Sequence, residues 1–563
     1  MSTGPLDPLQ RRRALAQLAD GTVDVLVVGG GVVGAGAALD AATRGLTVGI
    51  VEQGDWAGGT SSRSSRLAHG GLRYLEHGEF GLVHEALAER GLLLERLAPH
   101  LVRPVRFVFP LTKGWERPYV GAGVALYDVL ARFGAGGGTL PGHRHLTRRA
   151  ALRMFPALDP GALVGALTFF DAQIDDARHT LATVRTAVAH GALAASRVQV
   201  TGFRRDGDRV VGVQGWDRLA KTPVALSART VVAATGVWGA RTRTLLDGDT
   251  GGTVVTPSKG VHLVVPRRAI DGQTALIART STSVLFLLPW GANWLVGTTD
   301  TVWHGSLDVD QSGVEVDRRD VDFLLTEANR WLRTPLTHED VVGVYAGLRP
   351  LVTDADVQDT TKVSREHVVS RLAPGLVSVA GGKYTTYRVM ASDVVDAAVA
   401  ELPEMRRPGP SRTAGVPLVG AEGFPRLWED RHRLTATHRL PLPVIEHLLR
   451  RHGDQTTRVL ALLDEAPELA EPVVEGAAYL AAEIVHAAAE EGPLTVDDVM
   501  NRRTRLGTEV PDGARPAATA VAELMAGPLG WDRVELRRQV AAYQERPPAW
   551  GDRTDGVEHE PSA

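Results

Sequence analysis

Side chains able to do chemistry crowd into GDWAGGTSSRSSRLAHGGLRYLE, residues 54–76. Thr60, Ser61, Ser62 and Ser65 bring hydroxyls, Arg63, Arg66 and Arg73 bring guanidinium groups, and His69 and Tyr74 stand among them. Glycine and small hydroxyl residues at this density predict an irregular loop that turns backbone N–H groups and hydroxyls toward an anion. A flexible surface linker would not concentrate cations, an imidazole and a phenol in this way. Guanidinium groups match phosphate oxygens two at a time, and histidine is the side chain whose ordinary pKa suits proton transfer near neutrality. The composition of the loop therefore points to an anion site with a titratable group beside it.

The segment just before it supplies the elements that would position such a loop. In DVLVVGGGVVGAGAALDAATRGLTVGIVE, Asp24 to Glu52, an apolar run at 25–28 reads as a strand buried on both faces. Gly29, Gly31 and Gly34 then form G-x-G-x-x-G. The first glycine permits the tight turn, the second lets backbone approach a pyrophosphate, and the third lets the following helix lie close on the sheet. That helix, about residues 33–43, stops at Arg44-Gly45, and a second strand at 47–51 ends in Glu52, placed to accept a hydrogen bond from a ribose hydroxyl. Strand, glycine triplet, helix, strand and acid in this order predict a dinucleotide cradle.

Composition limits what else the chain can be. Its 563 residues suffice for two to four domains, and 62 basic against 66 acidic residues give a net charge of −4, which argues against nucleic-acid binding by bulk charge. With no cysteine, disulfides, zinc–thiolate sites, iron–sulfur clusters and thiol nucleophiles are excluded, and a cytoplasmic setting fits. The N-terminus lacks the pattern of a secretion signal. The longest apolar stretch, 25–42, is broken by Asp40 and rich in glycine, so a cradle explains it better than a membrane span.

Along the rest of the chain, residues 1–20 read as a loosely packed amphipathic lead-in and 81–97 as a packing helix. Alternation over 197–235 predicts a hairpin returning to a buried strand at 230–234, with Gly236 in the turn beside the dinucleotide. The runs GVHLVVP, SVLFLLPW and NWLVGTTD predict an antiparallel sheet over the cofactor, with a helix near 316–333. GGK, 381–383, follows a strand at 377–380 and opens a helix that begins near Thr385 and Thr386. Residues 402–417 form a proline- and glycine-rich linker, and five helical segments follow to 545. Among them Arg502 and Arg503 are expected in structural ion pairs. The tail from Arg546 is expected to be disordered. Two metal-like patterns fail: the calcium-loop start at Asp308, Asp310, Ser312 and Gly313 meets Arg319 where a glutamate is required, and His143 and His145 lack a third ligand. No metal is assigned.

TSSRSSRLAHGGLRYLEHGEFGLVHEALAERGLLLERLAPHLVRP, beginning at Thr60, resembles the matching region of the quinone-linked, FAD-dependent glycerol-3-phosphate dehydrogenases. So do the blocks at 140–158, 169–184, 231–240, 258–267, 286–300, 345–351 (YAGLRPL) and 379–391 (VAGGKYTTYRVMA), in the family's order, and DDVMNRRT resembles its C-terminal helical cap. The resemblance implies an α/β architecture: a Rossmann-type FAD-binding domain of the glutathione-reductase/D-amino-acid-oxidase kind, an antiparallel-sheet substrate domain and a C-terminal all-α domain. The expected boundaries are 21–110, 165–260 and 345–400 for the FAD-binding domain, 111–164 and 261–344 for the substrate domain, 401–417 for the linker and 418–545 for the helical domain.

The resemblance also implies non-covalent FAD and oxidation of sn-glycerol 3-phosphate to dihydroxyacetone phosphate, with hydride passing to flavin N5 and electrons to a membrane quinone. The implied cofactor contacts are Gly29, Gly31, Gly34, Glu52, Thr60, Ser61, Ser62, Ser65, Leu67, His69, Val198, Gly236, Gly382, Lys383 and Thr385. The substrate set is Arg73, Tyr74, Arg349, Arg365 and Lys383, with His69, Arg349 and Lys383 as catalytic residues. His69 is the candidate base, with His262 or a Lys383 of lowered pKa as alternatives. Positive charge from Lys383 beside the flavin would stabilise the reduced, anionic ring. The chain is expected to be a homodimer, cytoplasmic, and peripheral on the inner membrane surface, without nucleic acid as a partner. The rival readings are an oxidase passing electrons to dioxygen, an amine or amino-acid oxidase, a flavin module without turnover, and an NAD-linked reading of the first motif.

Overall fold

A computed structural model describes residues 4–132, 140–247, 254–280, 283–305, 307, 314–353 and 366–546. Among these, two sheets and a C-terminal helical domain account for the chain. The first sheet is built on Thr22–Val28, whose residues Val23 to Val27 are buried. Thr222–Ala233 and Val48–Val51 flank it in parallel, with Val28 opposite Ala233 on one side and Val51 on the other. Leu193–Ala195 extends one edge, and Leu376–Gly381 followed by His367–Ala373 extends the other. The helices Val32–Thr43, Asp176–Ala189 and Tyr387–Ala400 close over one face, joined by a core that includes Ala35, Ala38, Val184, Tyr387 and Val394. Small residues along Val32–Thr43 let these helices approach: a Cβ on Gly36 would lie 3.0 Å from Ala391 and 3.1 Å from the Tyr387 ring.

The second sheet carries ten strands. Val254–Pro266 pairs with Gly343–Thr353 and Asn293–Gly297, and Val102–Leu111 pairs antiparallel with Gly165–Ile174. Within the ranges expected for the nucleotide domain, residues 67–68, 102–110, 165–174, 254–260 and 345–353 pair in this second sheet. A run of buried apolar residues reads alike in either sheet, and only pairing over long sequence distances tells them apart.

Other expectations shift locally. The lead-in helix, Pro8–Asp20, is firmly packed: Arg11 donates to Ser196 O at 2.7 Å and to Asp217 at 2.7 Å, and Leu18 is buried. The helix after the loop spans Phe80–Leu92 and widens into a π turn, Leu93–Leu97. In the C-terminal domain two short helices, Phe424–Glu429 and Arg431–His438, precede the expected ones. The last expected helix divides into Ala518–Leu529 and Arg533–Gln544 at Gly530, whose φ of +66° ends the first. Residues 496–503 form one helical turn that widens into a π turn. The linker lies against the nucleotide domain, with Arg406 Nη1 donating to Asp24 at 3.3 Å. Of the expected disordered tail, 546–563, only Arg546 is among the described residues.

Candidate active site

One cleft of about 2080 Å³ runs from the glycine turn of the first sheet to the inner face of the second. Its first half has the form of a nucleotide cradle. Gly29 sits at φ +114°, and a Cβ there would lie 2.4 Å from Ala234 O. A Cβ on Gly34 would lie 1.9 Å from Gly29 O, so this third glycine does not face the cleft but lets the helix rest on the turn. Gly31 lines the cleft at the N-terminus of Val32–Thr43, where N–H groups and the helix dipole favour an anion. Glu52 accepts hydrogen bonds from the N–H groups of Gly30 at 2.6 Å and Gly54 at 2.7 Å. Burial raises its pKa, and those two donors oppose the rise.

The loop that follows lines the cleft with Thr60, Ser61, Ser62, Ser65, Leu67 and His69. Several of its hydroxyls are committed to shaping it. Ser61 Oγ accepts from Val32 N–H at 2.9 Å, and Thr60 Oγ1 donates to Leu348 O at 2.6 Å. Val198 and Gly236 line the same cleft from the returning strands.

At the far end Gly381 and Gly382 turn with φ of +76° and +80°, which brings Lys383 to the cleft. Its ammonium lies 3.6 Å from the centroid of the Tyr74 ring. Tyr74 belongs to the short helix Leu72–His77, as does the backbone of Arg73. Thr385 is fully buried and does not reach the cleft. Its hydroxyl accepts from His69 N–H at 3.0 Å and donates to His69 O at 3.2 Å, fastening the turn that carries the histidine. The neighbouring Gly70 N–H donates to Tyr127 OH at 2.8 Å, and Tyr127 donates in turn to Asp171, which Arg90 holds at 2.6 Å.

The second sheet contributes Arg349 and His262. Arg349 donates to Thr298 Oγ1 at 3.0 Å, Thr299 O at 3.1 Å and Asp300 at 3.3 Å. His262 stacks on Tyr345 at 4.8 Å, and its Nε2 lies 2.9 Å from Ser65 Oγ. Burial, then the charges of Arg349 and Arg66, lower its pKa to about 3, so the imidazole is neutral. The expected site residues other than Arg73 and Arg365 thus gather on one cleft, apart from Gly34, which packs beneath it, and Thr385, which braces it. Arg365 and the calcium-like residues 308–313 lie outside the described residues. Sequence reasoning passed over Thr298, Asp300 and Tyr345 as site residues, and named Arg66 only as one of the loop's cations. The block ending GTTD and the Tyr before AGLRPL were the available signals.

His143 Nδ1 lies 2.7 Å from Asp128. Among the described residues His452, His486 and Glu491 bring ligand-type atoms within 4.8 Å of one another. Arg178 holds that carboxylate at 2.6 and 2.8 Å, and burial, then the charge of the same Arg178, keep His452 neutral, with a pKa of about 4, so the cluster reads as an ion-pair network.

Residues 24–388 match the model of the FAD dependent oxidoreductase family, and residues 411–536 match that of the C-terminal domain of alpha-glycerophosphate oxidase. Glycerol-3-phosphate dehydrogenase 2 of Mycobacterium tuberculosis is 47% identical over 542 residues, covering 96% of this chain and 91% of that one. The chain belongs to the FAD-dependent glycerol-3-phosphate dehydrogenase family. The human mitochondrial glycerol-3-phosphate dehydrogenase is 36% identical over 539 residues, 92% of this chain and 72% of that one. The crystal structure of glycerol-3-phosphate dehydrogenase from Bacillus halodurans, complexed with FAD, superposes with a TM-score of 0.76 at 29% identity, covering 96% and 97% of the two chains. The cofactor of this family is FAD, and the glycine turn, the helix N-terminus and Glu52 fit its dinucleotide arm.

Proposed function

We propose that this protein oxidises sn-glycerol 3-phosphate to dihydroxyacetone phosphate and passes the electrons to a membrane quinone. The observation that carries the reading is the joining of the FAD cradle, at Gly31 and Glu52, to Arg349, Lys383 and His262 in one cleft. FAD, when bound, supplies the two-electron acceptor.

In this reading Arg349 anchors the phosphate, with Arg73 and Arg365 as further guanidinium groups from two other segments. Tyr74 and Lys383 hold the glycerol hydroxyls, and Lys383 also offsets negative charge on the reduced cofactor. Oxidation at C2 requires loss of a hydroxyl proton. His262 is favoured as its acceptor over His69, because it is neutral and lies in the fields of Arg349 and Arg66, which a phosphate dianion would offset. His69, clamped through its backbone, then shapes the turn beside the cofactor.

Attachment to a membrane surface is supported by the flank of Glu116–Arg132. Trp115, Tyr119, Ala122, Leu126 and Val129 form an exposed stripe along it, and exposed Arg144, Arg148 and Arg149 lie on the neighbouring segment. Aromatic and aliphatic residues beside arginines suit an anionic lipid surface. Among the described residues no helix is long and apolar enough to cross a membrane.

The test is to follow product and acceptor together. Dihydroxyacetone phosphate should form with reduction of a soluble quinone analogue and little peroxide. Peroxide equal to the substrate consumed would replace the quinone with dioxygen, and turnover of an amino acid in place of glycerol phosphate would discard the reading.

A further inference from the structure

The loop at 54–66 that borders the cofactor cleft has little regular structure of its own, only a single 3-10 turn at Thr60–Ser62. Its order comes from outside, and much of it from one short segment of the C-terminal helical domain. Arg502 and Arg503 both bind Asp55, at 2.6 Å from Nε and at 2.7 and 2.8 Å from the second guanidinium, and all three residues are buried. Arg505 donates to Ser62 O at 3.0 Å, to Asp175 at 2.8 Å and to Asp176 at 2.5 Å. The other oxygen of Asp176 accepts from the Ser64 N–H at 2.9 Å and its hydroxyl at 2.7 Å.

Glu509 completes the set. One carboxylate oxygen accepts from Trp290 Nε1 at 2.7 Å and faces Arg66 Nη1 at 3.4 Å, and the other accepts from Tyr479 OH at 2.9 Å. Arg66 is fully buried at a left-handed φ of +54°, with its guanidinium 4.4 Å from Trp290 and 5.4 Å from Tyr345. Tyr345 is the ring on which His262 stacks. Contacts from 502–509 therefore reach the cradle through Asp55, the hydroxyl turn through Ser62 and Ser64, and the histidine stack through Arg66.

We infer that the C-terminal segment 502–509 is the clamp that holds the flavin loop in its binding geometry, with Arg505 and Glu509 as positioning residues. Isolated surface pairs contribute little, but removing one partner of a buried pair leaves the other charge uncompensated, which is strongly destabilising. Because the clamp orders the loop that receives FAD, bound FAD must strengthen docking of the clamp by the same factor. The helical domain thus takes part in cofactor retention without touching reacting atoms. This inference rests on FAD occupying the cleft, and not on which substrate or acceptor is used.

Two measurements test it on the full-length holoenzyme. In Arg505→Lys, a single ammonium cannot reach Ser62 O, Asp175 and Asp176 together. In Glu509→Gln, the shape is kept and the charge facing Arg66 is removed. Both should release FAD at least tenfold faster than the unaltered protein and narrow the gap in melting temperature between FAD-loaded and FAD-free forms. Arg458→Ala, on the exposed pair with Glu490 in the same domain, should change neither. Equal lowering of both melting temperatures with an unchanged FAD release rate would mean simple domain glue and overturn the inference. The second measurement needs no variant. Removing FAD from the unaltered protein should raise amide hydrogen exchange in 502–509 as well as in 54–66, while Leu442–His452 stays protected. Unchanged exchange in 502–509 would equally overturn it.

Discussion

Replacing Arg349 by methionine isolates the anchoring role. The guanidinium is about a quarter exposed and lies 3.3 Å from Asp300, so its charge is partly offset and partly screened. A phosphate at about 4 Å from such a group, at the effective dielectric of a protein surface, interacts by roughly 4 kcal/mol, and hydrogen bonds to charged groups contribute about 1.5–3 kcal/mol each. Allowing for the share already taken by Asp300, roughly 3–4 kcal/mol of substrate and transition-state binding should be lost, or about 100- to 1,000-fold in kcat/KM. Flavin content should not change, because the cradle lies at the other end of the cleft. Asp300 would be left without this partner, although Ser258 Oγ still donates to it. Arg349→Met combined with Asp300→Asn separates the two effects: recovery in the double variant would mean that the orphaned carboxylate, and not the lost anchor, caused the defect. Steady-state kinetics with glycerol 3-phosphate and flavin absorbance per chain are the readouts. Arg349→Met with kcat/KM within threefold of the unaltered enzyme would refute the assignment.

Gly34→Ala places a Cβ 1.9 Å from Gly29 O, which must lift the helix from the turn, so the purified variant should carry little or no flavin; normal flavin content would contradict the cradle geometry. Gly71→Ala puts a side chain at φ +78° and 2.3 Å from the Tyr74 ring, displacing it from under Lys383. With left-handed strain alone at about 1–2 kcal/mol, kcat/KM should fall roughly tenfold or more while flavin is retained, and unchanged kinetics would remove Tyr74 and Lys383 from the substrate site. His100, His179 and His262 are held at pKa values of about 3 and His452 at about 4, chiefly by burial. With folded values below the ordinary 6.5, the unfolded chain binds more protons, and stability falls as pH drops from about 6.5 toward 4. Each histidine should cost roughly 1.4 kcal/mol per pH unit in that window, so melting temperature should be lower at pH 5.5 than at pH 7.5. An equal melting temperature at the two values would show that these histidines are protonated in the fold.

The local chemistry of the cradle was legible in the sequence because each part depends on near neighbours. Gly29, Gly31 and Gly34 and the acid at Glu52 lie within a single strand–helix–strand unit, and their roles follow from backbone geometry. The clustering of Arg349, His262 and Lys383 was legible only through the resemblance, since Arg349 and His262 lie on the second sheet and Lys383 follows a strand of the first. The partner of Thr385 was not legible for a related reason: a threonine at a helix start suggests a cofactor donor or a cap, and nothing nearby in sequence reveals that its hydroxyl bonds the His69 backbone, 316 residues away. The pairing of Val102–Leu111 with Gly165–Ile174 was not legible, because buried strands share one pattern whichever sheet they join. The clamp from 502–509 was invisible for the same cause, since Arg502 and Arg503 announce ion pairs but not the partner, Asp55.

The most direct test of the central claim is anaerobic addition of sn-glycerol 3-phosphate to the purified, FAD-loaded protein without any acceptor. One equivalent should bleach the bound flavin and yield one equivalent of dihydroxyacetone phosphate. Flavin that keeps its oxidised spectrum at saturating substrate would contradict the account.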